Sequence, residues 1–297
     1  VIMRCVLLYS CIIFSVFQIG CARSGLRVLG GKDADEVKHP YIVRLQHQIV
    51  IFNLVTIILH IHSCTGSLLT PTWTLTAAHC LSLKGPKKTE TAIMQPVIRC
   101  GTFKESLIVR IIAVIEHPGY KFRILDIRND IGLIKSYPVP VNQFARLSAL
   151  DFASLVGEEA ALFGYGLTNG SDPTGQTILS DATTAMKPLQ QLDIVVLQCS
   201  KNYVDMMPAV CVARRCGQSA SICPGDSGGP MIHSSGIVGV NSLGPLNLNK
   251  FCYLKPSAPV FDAGVITPVS PFIDWIIVLR KYYGSCWSPN ACCHTYR

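Results

Sequence analysis

Short apolar, β-rich runs dominate this chain. Residues 41–45, 67–70, 107–115, 131–134, 160–163, 236–240 and 264–269 are apolar-rich, and Gly, Pro and polar clusters separate them. That spacing predicts an all-β barrel or sandwich. A denser run, 49–61, is broken by Asn53 and rich in Ile and Val. A pair of strands accounts for it better than a membrane span. The period changes near the C-terminus. Phe272, Trp275, Ile276, Leu279 and Tyr283 recur at helical spacing, which predicts an amphipathic helix over 271–283 with Pro271 in its first turn.

The N-terminus departs from the pattern. Met3 and Arg4 precede an apolar run, 5–19, and then small residues Gly20-Cys21-Ala22. This is the layout of a secretory signal peptide, residues 1–22, with cleavage near Ala22. The apolar run is short for a membrane span, so no stable membrane anchor is expected. Secretion gives meaning to the 14 cysteines, since disulfides persist in oxidising compartments. The adjacent Cys292 and Cys293 with His294 lack the spacing of a metal site.

Composition narrows the picture further. The chain has 297 residues, 49% of them hydrophobic and 15% charged, enough for one large domain or two small ones with real cores. The net charge of +8 is spread along the sequence, and Lys84-Gly85-Pro86-Lys87-Lys88 is the sole local cluster. It reads as a solvated loop, and no nucleic-acid partner is expected. Residues 84–95 hold no carboxylate cluster suited to calcium, so no metal and no cofactor is expected.

The candidate chemistry lies in separated motifs. Gly225-Asp226-Ser227-Gly228-Gly229-Pro230 puts a serine among glycines that let backbone N–H groups approach a substrate carbonyl. A serine hydroxyl needs a base within hydrogen-bond reach to act as a nucleophile. Leu75-Thr76-Ala77-Ala78-His79-Cys80 supplies a histidine and Asn129-Asp130-Ile131-Gly132-Leu133 an aspartate, in the order His, Asp, Ser. Alone, His79 would read as a core histidine and Asp130 as a surface turn; three matched blocks in order reverse that reading.

With Val28-Leu29-Gly30-Gly31 and Gly164-Tyr165-Gly166, these blocks resemble the chymotrypsin–trypsin family of serine endopeptidases from about residue 28 to 275. The resemblance implies two six-stranded Greek-key β-barrels and a C-terminal helix, with the cleft between the barrels. The expected boundaries are a pro-segment at 23–27, a protease domain at 28–283 and a Cys-containing extension at 284–297. Within the domain, barrel one covers about 28–150, barrel two about 151–271 and the helix 271–283. It implies His79 as general base, Asp130 as its orienting partner, Ser227 as nucleophile, and Ser242 as a support for the aspartate. The N–H groups of Gly225 and Ser227 would form the oxyanion hole, where one donor is typically worth about 2.7–4 kcal/mol. It also implies the disulfides Cys64–Cys80, Cys199–Cys211 and Cys223–Cys252. Closing the first would stabilise by roughly 3 kcal/mol on a chain-entropy model. With Cys5, Cys11 and Cys21 in the signal peptide, Cys100, Cys216, Cys286, Cys292 and Cys293 are then left over.

The same resemblance implies a zymogen. Cleavage after Arg27 would free an ammonium at Val28 to pair with Asp226, a contact not expected in the uncut chain. Leu29 replaces a more usual valine. Ser221 aligns with the base of the specificity pocket and gives no counter-ion for a substrate Lys or Arg. Gly244 and Gly264 align with its walls and would leave room for Phe, Tyr, Leu or Met, as in chymotrypsin. Pro224, Leu243, Ile266 and a long 252–264 segment depart from the family pattern there. Asn169-Gly170-Ser171 is an N-glycosylation sequon. The expected partners are protein or peptide substrates, an activating protease and protein inhibitors. The rival readings are a catalytically silent secreted homologue that binds protein, and a regulatory cascade protease.

Activity that needs neutral His79 and a charged Val28 amine should fall below roughly pH 6.5 and again above about pH 8, the reference values of these groups. A rate constant from pH 5 to 10 would contradict this pairing.

Overall fold

The structure is a computed structural model. It describes residues 31–52, 56–81, 87–89, 92–101, 107–123, 126–166, 188–199, 207–214, 222–244 and 262–284. Its strands, in chain order, are β1 (Lys32–Asp33), β2 (Ile42–Ile51), β3 (Ile57–Thr70), β4 (Trp73–Thr76), β5 (Lys87–Lys88), β6 (Ala92–Cys100), β7 (Leu107–Glu116), β8 (Lys121–Arg123), β9 (Asp126–Arg128) and β10 (Gly132–Ser136). They continue with β11 (Glu159–Gly164), β12 (Gln190–Leu197), β13 (Val210–Arg214), β14 (Pro230–His233), β15 (Gly236–Leu243) and β16 (Asp262–Pro268). One α-helix among the described residues, α1 (Ile273–Gly284), follows them.

The strands close into two antiparallel barrels. In the first, β2-β3-β4-β10-β7-β6 returns to β2, with β5 as an added edge. In the second, β12-β11-β14-β15-β16-β13 returns to β12, with β1 added. Both rings have one cyclic order: first, second, third, sixth, fifth and fourth strand. The all-β fold of two six-stranded barrels with a C-terminal helix is therefore as expected.

Local pattern explains each ring. In β12, Gln190, Leu192, Ile194 and Val196 are buried while their neighbours are partly exposed, the two-residue period of a barrel wall. Leu75, Leu133 and Ile134 are almost fully buried. Each such side chain contributes about 1.5–3 kcal/mol relative to exposure. The dense 49–61 run is indeed a pair of strands, with Ile51 opposite Ile57 and Ile49 opposite Leu59. Its far end leaves Phe52, Ile57, Ile58 and Leu59 exposed.

Two expectations are refined. Lys87 and Lys88 do not lie in a loop; they pair with β6 as a short edge strand, opposite Met94 and Ile93. Pro271 lies in a 3₁₀ turn, Ser270–Phe272, and the α-helix starts only at Ile273. Phe272 and Ile276 bury into the main core, with Trp275 and Leu279 packed against it; the side chain of Tyr283 lies outside what is described. No helix among the described residues is long and apolar enough to cross a membrane.

Candidate active site

His79 is held by the turn that follows β4. A 3₁₀ helix, Ala78–Leu81, carries it, and the Cys64–Cys80 disulfide ties that turn to β3. Asp130 stands just before β10. Asn129 ahead of it adopts φ 51°, a left-handed conformation that Asn tolerates better than most residues. Its amide donates to Gly119 O at 2.8 Å, which fixes the corner. Asp130 is consequently not on a surface turn: it is 1% exposed.

The buried carboxylate has three donors. His79 N–H reaches Oδ1 at 2.9 Å, His79 Nδ1 reaches Oδ2 at 2.7 Å, and the Ser242 hydroxyl donates to Oδ2 at 2.5 Å. Burial alone pushes the Asp130 carboxyl up. The hydrogen bond and charge of His79, then Ser242 and the His79 amide, outweigh that and hold it below the ordinary carboxylate range. An ionised carboxylate can only accept, so Nδ1 carries a proton. In the neutral ring, Nε2 is then the acceptor.

Ser227 comes from the second barrel. It lies on the tight Cys223–Gly229 loop that leads into β14. Its carbonyl accepts from Thr65 N–H at 2.8 Å, one residue from the cysteine bridged to Cys80, so the serine sits on the same seam as His79. The loop needs its glycines. Gly225 has φ +97° and Gly228 φ +82°. A Cβ on Gly225 would meet the His62 ring at 2.8 Å, and one on Gly228 would collide with Thr76 and Thr65. Among the described residues no acceptor takes the N–H of Gly225 or Ser227. Likewise Ser227 Oγ has no hydrogen-bond partner there, so the expected third link, to His79, is not formed. Such contacts often tighten only when substrate binds.

Asp226 points inward, 2% exposed. Its carboxylate accepts from Gly166 N–H at 2.7 Å and Cys223 N–H at 3.0 Å. Arg27 and Val28 lie outside the described residues, and so do Ser221, Cys252 and Asn169. Gly264 is buried, and a Cβ there would collide with the Ile222 side chain and the Leu243 carbonyl. Cys199 is bonded to Cys211. Cys223 is also in a disulfide. Cys100 is a free, buried thiol that burial pushes up to about 12. Cys64, His79 and Cys80 bring possible metal-ligand atoms within 4.8 Å of one another, but the two sulfurs are bonded to each other, which leaves one donor.

Two residues had escaped the sequence reading. Asn241 donates to Phe163 O at 3.0 Å and to Asp226 O at 3.2 Å, which pins the loop from below. Thr65 is taken up further on.

Comparison with known proteins agrees with this fold. The trypsin family model matches residues 28–276. This chain belongs to the trypsin family of serine proteases. It is 30% identical over 256 residues to a trypsin of Phaedon cochleariae, an alignment covering 84% of this chain and 87% of that one. It is 29% identical to an anionic trypsin of Canis lupus familiaris, covering 84% and 88%. It is 28% identical to human granzyme M, covering 88% and 90%. Among solved structures, mouse neuropsin, a serine protease, superposes with a TM-score of 0.57 at 21% identity, over 84% of this chain and 98% of that one. At that identity the superposition speaks for the fold alone.

Proposed function

We propose that this chain is a secreted serine endopeptidase, made as a zymogen and cut after Arg27. The observation that carries this reading is the His79 ring fixed by Asp130 with Nε2 as the acceptor, on the seam where Ser227 lies. Ser227 Oγ attacks the scissile carbonyl as its proton passes to Nε2. Asp130 keeps the ring oriented and stabilises the imidazolium. The oxyanion takes hydrogen bonds from Gly225 and Ser227 N–H. His79 then gives the proton to the departing amine, and a water deprotonated by His79 releases the acyl group from Ser227.

Activation works through Asp226. A new Val28 ammonium would bring a positive charge to this buried carboxylate, and breaking such a pair typically costs about 3–5 kcal/mol. The signal peptide at 1–22 and the pro-segment at 23–27 belong to the same proposal, and the disulfides suit an oxidising compartment. Substrate preference is for large apolar residues on the acyl side of the cut, because Ser221 offers no charge and Gly244 and Gly264 leave the walls open.

Mild trypsin treatment, then a fluorophosphonate probe and a panel of peptide amides, tests the reading. Labelling at Ser227 is expected only after the cut at Arg27, with Phe, Tyr, Leu and Met substrates hydrolysed fastest. Preference for Arg over Phe would defeat the specificity. An unlabelled, correctly cut chain would instead indicate a silent homologue that binds protein.

A further inference from the structure

Four hydrogen bonds meet on one buried threonine that the chemistry above does not use. Thr65 follows Cys64 in β3 and is fully buried. Its N–H donates to Ser227 O at 2.8 Å, and its carbonyl accepts from Thr76 Oγ1 at 2.9 Å. Its hydroxyl acts in both directions. It donates to Gly225 O at 2.8 Å and accepts from Tyr165 N–H at 3.1 Å. A carbonyl only accepts and an amide N–H only donates, so this pair of neighbours fixes the hydroxyl rotor. His62 Nε2 gives the Gly225 carbonyl a second donor at 3.1 Å.

These contacts act on the loop in a particular way. The peptide planes 225–226 and 227–228 flank Asp226-Ser227. Thr65 grips the carbonyl of each from the opposite barrel. Its hydroxyl also holds the Tyr165 amide, and Gly166, the next residue, donates to the Asp226 carboxylate. The segment that holds Asp226 and the glycine that offers its N–H to substrate are thus tied to one oxygen atom. Gly225 has φ +97° and no side chain to restrict it, so its orientation depends on such outside contacts.

We propose that Thr65 is a positioning residue for the oxyanion donors. Its hydroxyl holds the Gly225 carbonyl and the Tyr165 amide together, which fixes the 225–226 peptide plane between the N–H groups of Gly225 and Ser227 and so limits how either can turn before substrate arrives. The inference rests on the reading of Ser227 as the nucleophile. It concerns preorganisation, so its effect belongs in kcat rather than KM.

Valine matches threonine in shape and lacks the hydroxyl, so T65V is the test, made in the activated full chain. Its kcat on a peptide amide is expected to fall about 10–100-fold, short of the 10²–10³ typical for loss of a direct oxyanion donor. KM should stay within about twofold, the signature of an interaction felt in the transition state. T65S keeps the hydroxyl and should stay within about threefold of the unsubstituted kcat, because it restores both bonds. Active sites are counted by fluorophosphonate titration, so loss of folded protein does not imitate loss of rate. A titrated T65V with unchanged kcat, or a T65S as slow as T65V, overturns the proposal. If T65V does not fold, T65A carries the same expectation. Failure of the activated, unsubstituted chain to hydrolyse or label overturns the underlying protease reading instead.

Discussion

Replacing Ser227 by alanine is expected to abolish peptide hydrolysis while leaving the fold intact. The loss in kcat should be on the order of 10⁶, the scale seen when a serine protease loses its nucleophile. The stability change should be small. Ser227 Oγ has no hydrogen-bond partner among the described residues, so truncation leaves no buried group unpaired. The contacts that shape the loop run through backbone atoms and Asp226 instead. Turnover of an activated S227A preparation, set beside its melting temperature, checks both parts. A variant that still turns over within tenfold of the unsubstituted protein would place the nucleophile elsewhere.

Asp130→Asn should produce the second largest effect, about 10⁴ in kcat, through the tautomer of the ring. The amide can offer an oxygen to only one side. Facing His79 Nδ1 with an NH₂ group drives the ring proton to Nε2, and Nε2 then cannot take a proton from a serine. The same substitution changes acid stability. The folded carboxyl titrates below its ordinary range, so the folded state binds its proton less readily than the unfolded state. Its contribution is complete above about pH 4, the ordinary aspartate value, and is lost as pH falls through the lowered folded value. D130N should therefore be less stable than the unsubstituted protein at neutral pH, and the gap should narrow as pH falls below about 4. Chemical denaturation at pH 7 and pH 3 measures this directly. A gap that stays constant would mean that Asp130 titrates normally.

Much of the fold is readable from alternation because β-barrel walls bury one face of each strand. The 49–61 run illustrates this: its Ile and Val content and its break at Asn53 mark two paired strands. Strands β4 and β6 are harder to read. β4 spans only Trp73–Thr76 and follows β3 after a tight turn. β6 contains Pro96, which normally argues against a strand interior. There Pro96 pairs with His47 of β2, while pairing with β7 begins only at Val97, so the missing N–H does not interrupt a ladder on both sides.

The candidate site divides in the same way. His79, Asp130 and Ser227 are legible because each sits in a short motif whose neighbours serve the same local geometry. Thr65 and Asn241 are not, because their roles arise only where distant segments meet. The Thr65 hydroxyl joins residues 100 and 160 positions away. No local pattern announces such a contact, and a buried threonine in a strand would otherwise read as ordinary wall. The link from Ser227 to His79 is a converse case, implied by motif order yet not among the hydrogen bonds between described residues.

The two halves also trade limbs. β1, from the start of the described chain, is zipped onto β12 of the far ring, with Ala34 N–H donating to Leu189 O just beyond it. In return, the last 3₁₀ turn and α1 lie on the near ring, with Phe272 of the turn and Trp275 of α1 edge-on to His117. Each ring wears a piece of its counterpart's sequence, like two hands with fingers laced. Neither could be peeled away without first unlacing a limb. The crevice between the rings is thus clasped at both ends of the described chain, and it should come apart in one step with both rings.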